Sequence, residues 1–100
     1  MNADSVNGPL SIARRILVIY QDFIPSEKNE EFLIAWAPLC RNPDAQEILD
    51  ALHRIDEIVD PYNPLPANRR KARKKILVGA TTVLARQSRE KRLREIKLSL

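Results

Sequence analysis

At 100 residues the chain makes one small domain, or a small domain with a tail, and has little volume for both a core and a deep pocket. Apolar residues make up 44% of it, which excludes wholesale disorder. The five aromatics leave the core to Leu, Ile, Val and Ala, and that usage favours packed helices over a β-sandwich. The net charge of +4 conceals an asymmetry: residues 1–66 hold five Lys/Arg against eleven Asp/Glu, and residues 67–100 hold twelve against two. A −6 half followed by a +10 half is the layout of an interaction tail or a nucleic-acid surface.

Residues 1–9 are polar, include Gly8-Pro9, and are expected to form a flexible arm. From Leu10, the residues Ile12, Ile16, Leu17, Ile19, Tyr20, Phe23 and Ile24 recur with helical spacing, and Pro25 stops the run. Ser26 is a candidate N-cap for a second helix with Glu27, Glu30 and Glu31 in its first turns. Its apolar stripe is Phe32, Leu33, Trp36 and Leu39, and Pro38 kinks or ends it. A third helix begins at Asn42-Pro43-Asp44, either with Pro43 as its first residue or with Asp44 and Glu47 as a capping box. Ile48, Leu49, Leu52, Ile55, Ile58 and Val59 form its apolar face, Asp50 and Arg54 are an i,i+4 pair, and Asp60-Pro61 ends it.

The prolines of PYNPLP predict a stiff connector over residues 61–67, at the point where the charge changes sign. Residues 68–100 then read as a basic helical segment that packs on the acidic core of residues 10–60 through Ile76, Leu77, Ala80, Val83 and Leu84. Leu93, Ile96 and Leu100 form another stripe, rotated by roughly a third of a turn. Two stripes out of phase call for a bend near Gln87-Ser88, or for a separate partner that covers the tail. The β-branched run around Gly79 also fits a short strand or hairpin. The expected fold class is all-α: a small bundle of about four helices with a basic C-terminal helical segment.

The strongest functional signal is the block Arg69, Arg70, Lys71, Arg73, Lys74 and Lys75. Six cations in seven residues repel one another, and at the start of a helix they also oppose its dipole. A polyanion removes both penalties and releases counterions as it binds. Arg86, Arg89 and Arg92, with Lys91, Arg94 and Lys97, extend the same surface. The basic region has no aromatic residue, so stacking on unpaired bases is not the expected mode. Backbone and shape recognition of duplex RNA or DNA fits better. A nuclear-import peptide and a merely solvated tail are the plainer interpretations of such a block. Leu93, Ile96 and Leu100 are candidate partner or oligomer contacts, and a homo-oligomer is expected. The alternative function is a protein–protein adaptor or self-assembling regulator whose acidic and basic halves pair within or between chains. A third option lays the basic amphipathic tail on an anionic lipid surface.

Catalysis has little to stand on. His53 is the only histidine, Cys40 the only cysteine, and the two glycines make no phosphate loop. No catalytic residue, cofactor or metal ion is expected, and Cys40 reads as a small buried hydrophobe. The start MNADSVNGPLS has no basic and apolar leader, and uninterrupted apolar runs such as Ile16 to Tyr20 are far short of a span of roughly 20 residues. An intracellular setting is expected, cytoplasmic or, in a eukaryotic cell, nuclear.

Overall fold

A computed structural model describes residues 8–99 of the chain. The described residues form four α-helices: α1 (Pro9–Tyr20), α2 (Asn29–Trp36), α3 (Ala45–Ile58) and α4 (Ala67–Ser99). Single 3-10 turns at Gln21–Phe23, Ser26–Lys28 and Ala37–Cys40 flank α2, and no strand occurs among the described residues. The molecule is an all-α small bundle. The hairpin alternative around Gly79 is replaced by helix.

Each boundary has a local cause. Pro9 starts α1, one residue inside the expected flexible arm; the rest of that arm, apart from Gly8, lies outside the described residues. Proline suits this position because its missing N–H is one that helices leave unbonded anyway. Ser26 does not cap α2. It opens a 3-10 turn in which the Lys28 N–H donates to the Pro25 carbonyl at 2.8 Å, so α2 begins only at Asn29. Pro38 does not kink α2; the chain tightens into a 3-10 turn there instead. At α3 the capping box forms: the Glu47 N–H donates to Asp44 Oδ1 at 2.8 Å, and the Asp44 N–H donates to Glu47 Oε1 at 3.2 Å. Asp50 accepts from Gln46 Nε2 at 2.9 Å, in place of the expected partner Arg54.

Tyr20, Ile16, Leu39, Leu52 and Ile55 are fully buried, so α1, α3 and the turn after α2 meet at one centre. Trp36 Nε1 donates to the Ala13 carbonyl at 2.9 Å and ties α2 to α1. The Asp60 N–H donates to the Phe23 carbonyl at 2.9 Å and closes the connector onto the end of α1. Cys40 is half-buried against the core, and His53 lies exposed on α3.

The fourth helix differs from its expectation in two ways. It runs for 33 residues, about 50 Å at 1.5 Å per residue, with no interruption at Gln87-Ser88. Its packed half ends early. Ala80 is buried and Ala72, Ile76, Leu77 and Leu84 are partly buried against the core, but Val83, assigned to that face, is 42% exposed. Every residue from Ala85 to Ser99 is exposed, so about four turns stand clear of the bundle. Leu93 and Ile96 lie about 220° and 160° round the helix from Ala80, nearer half a turn than a third. Leu100, the third residue of that stripe, falls outside the described residues.

Candidate nucleic-acid interface

The six-cation block falls on the first two and a half turns of α4, and the helix divides it. Arg69 and Arg73 are half-buried; Arg70, Lys71, Lys74 and Lys75 are exposed. The reason is periodicity: Arg69, Arg73, Ile76 and Ala80 follow the i, i+4, i+7, i+11 spacing of a single face. The expectation that all six side chains lie off the apolar face therefore fails for these two.

Arg73 grips Asp56 of α3. Its Nε donates to both carboxylate oxygens at 3.0 Å, and its Nη2 donates to Oδ2. The remaining lone pair of Oδ1 accepts from the Tyr20 hydroxyl at 2.6 Å. One carboxylate thus links α1, α3 and α4, with both charged side chains under a third exposed. Burial, and then the bond to Asp56, pushes the Tyr20 phenol well above its usual range, so it stays protonated as the donor this geometry needs. The hydrogen bond to Asp56 likewise raises Arg73, against the opposing effect of burial.

Arg69 serves a different neighbour. Its guanidinium donates to the Val18 carbonyl, lies 3.7 Å from Asp22 and sits 5.5 Å from the centre of the Phe23 ring. The last carbonyls of α1 have no helical partner, and a cation suits that negative end. Arg69 and Arg73 are therefore the clamps that seat α4 on the acidic core.

The remaining cations point outward. Lys71 lies about 180° from Ala80 round the helix, with Lys74 and Lys75 beside it. Arg89 and Arg92 follow Lys71 and Lys74 by 18 residues each, which is five full turns, so the two basic clusters share one outer line about 27 Å apart. Arg86 lies to one side of that line and is also exposed. The uncharged stretch from Ile76 to Ala85 separates the clusters.

Folding brings in two further cations. Arg14 and Arg15 of α1 line a groove of about 390 Å³ together with Lys75, Ile76 and Ala72 of α4. They stand about sixty positions from Lys75 in the sequence, and only the antiparallel seating of α1 and α4 could reveal the association. Among the described residues no group of three His, Cys, Asp or Glu is placed to hold a metal ion, and no helix is long and apolar enough to cross a membrane.

No protein-family model, curated protein or solved structure matches this chain. The class it belongs to is set by its own geometry, a small helical bundle with one long basic helix.

Proposed function

We propose that the protein is a non-enzymatic nucleic-acid-binding module that grips the phosphate backbone of a duplex, RNA or DNA, through the outer face of α4. The observation that supports this is the division of the basic block. Two arginines are used in folding, while Arg70, Lys71, Lys74 and Lys75 stay exposed with no carboxylate partner among the described residues. Four crowded like charges repel one another, and Arg70 in the first turn also opposes the helix dipole, costs that a polyanion removes. Arg89 and Arg92 on the same line, with Arg86 beside it, extend the surface, and Arg14 and Arg15 widen it at the α1 edge. Recognition through phosphates carries no base information, so binding is expected to be insensitive to sequence and sensitive to salt.

The test is a titration of the protein against duplex RNA, duplex DNA and single strands at two salt concentrations. The Arg70→Gln, Lys71→Gln, Lys74→Gln variant should weaken binding to unrelated duplexes equally. It should also flatten the slope of log affinity against log salt by up to about 0.9 for each DNA phosphate that is no longer neutralised. Affinity that ignores both salt and this variant would overturn the proposal.

A second reading, a protein–protein adaptor, draws on the Arg73–Asp56 and Arg69–Asp22 pairs, through which the basic and acidic halves already meet inside one chain. It predicts no duplex binding at physiological salt and loss of a protein partner in the same triple variant.

A further inference from the structure

We propose that the projecting end of α4 docks on the α2–α3 surface of a second copy of this chain. The proposal does not rest on nucleic-acid binding, although it draws on Arg89 and Arg92 of the same outer line of α4.

The projecting segment, residues 85–99, carries six Lys/Arg and two Glu and is exposed at every position. On its outer face Leu93 and Ile96 are 53% and 51% exposed, and Arg89 and Arg92 flank them. This face points away from its own bundle, because it lies roughly half a turn from Ala80 on an unbroken helix. Among the described residues none covers Leu93 and Ile96, so the face is open to a second molecule.

A matching surface of opposite sign exists on the same protein. Leu33 and Ile34 of α2 are 54% and 64% exposed, the bundle's most exposed neighbouring pair of large apolar residues. Ile34, with Glu31 and Ala35 of α2 and Glu57 and Ile58 of α3, lines a groove of about 250 Å³, and Leu33 stands about 100° round α2 from it, outside the groove. Glu27, in the turn before α2, and Glu30 of α2 are exposed as well. Two cations share this surface: Arg54 on the groove wall, and Lys28, which stands 3.8 Å from Glu31. With the four glutamates they leave a net −2.

Each surface is thus an apolar pair ringed by charge, one ring positive and the other negative. Pairing them buries Leu93 and Ile96 against Ile34 and Ile58 of the groove and sets the arginines against the glutamates. Two alternatives fit less well. Tail against tail would press two +4 segments together. A phosphate backbone would satisfy Arg89 and Arg92 but offers nothing apolar to the leucine and isoleucine between them.

The experiment is sedimentation velocity on the nuclease-treated full chain at about 100 µM, at salt concentrations on either side of the physiological value of about 0.15 M. The wild type should sediment as a dimer or larger species at low salt and shift toward monomer at high salt. Leu93→Ser with Ile96→Ser should be monomeric at both, with helical content unchanged because neither residue is buried. Arg89→Glu with Arg92→Glu should be monomeric alone, and so should Glu30→Arg with Glu57→Arg. Mixed in equal amounts, those last two variants should form a one-to-one complex, since each supplies the surface the other lacks. A monomeric wild type at low salt would overturn the proposal, as would an oligomer indifferent to the Leu93/Ile96 change or a mixture that stays monomeric. If the Arg89/Arg92 variant loses duplex binding while the wild type remains monomeric, the tail serves nucleic acid instead and self-docking is wrong.

Discussion

The two halves of α4 obey different rules although no break separates them. From Ala67 to Leu84 the helix is selected by its surroundings: Ile76, Ala80 and Leu84 fill one side of the bundle, and Arg69 and Arg73 are bonded to it. From Ala85 to Ser99 nothing is packed at all. An isolated helix of fifteen residues is marginal in water, because the first turn fixes several dihedral angles for one hydrogen bond. Here the seated half supplies that first turn, so the projecting half needs only to propagate. A helix can in this way be extended past its own core, and it holds side chains such as Arg89 and Ile96 at a set distance and direction.

The contrast can be broken most severely from inside the bundle. Leu52→Ala removes a fully buried side chain where α1, α3 and the turn after α2 meet, and should cost about 2–5 kcal/mol. In a domain of this size that lowers the melting temperature by about 8 °C or more, read by circular dichroism. Arg73→Gln should cost about 1–3 kcal/mol, since it leaves the Asp56 carboxylate with Tyr20 alone, whereas Lys74→Gln one position along should cost under about 0.5 kcal/mol. Equal effects from Arg73 and Lys74 would show that the division of the basic block is not real. Gly79→Ala should stabilise by about 0.5–1 kcal/mol, because the position is mid-helix and a methyl group there meets no neighbouring atom within 4 Å. The smallest thermal effect is expected from Leu93→Ser with Ile96→Ser, a change within about 0.5 kcal/mol in dilute solution. The same contrast should appear in hydrogen exchange, with amides of residues 86–99 exchanging far faster than those of residues 73–82.

Much of the bundle is legible in the sequence, and where it is not, the reason is physical. Asp44 and Glu47 announce α3 because a capping box is a purely local bond pattern, complete within four residues. Pro38 and Pro25 likewise mark the ends of helical stretches by sterics alone. The continuity of α4 is not legible, because two apolar stripes out of phase imply a bend only if both are buried against the same body. Leu93 and Ile96 are not buried within the chain, so no bend is needed. The double role of the basic block is legible in part. Arg69 and Arg73 fall in register with Ile76 and Ala80, but the run of adjacent cations masks that spacing. Their acceptors, Asp56 and the Val18 carbonyl, lie 17 and 51 positions away and are fixed only by tertiary contact. The same holds for Arg14 and Arg15 beside Lys75.

The bond from Trp36 to the Ala13 carbonyl has an optical consequence. Trp36 is the chain's single indole, it is half-buried, and it sits where α2 meets α1. Its emission should therefore redden when α1 and α2 part, and stay constant while anything happens along the outer line of α4. Fluorescence during a titration then works as an internal control. A polyanion that binds the long helix should leave the signal in place, whereas one that pries the bundle open will announce itself by a change of colour.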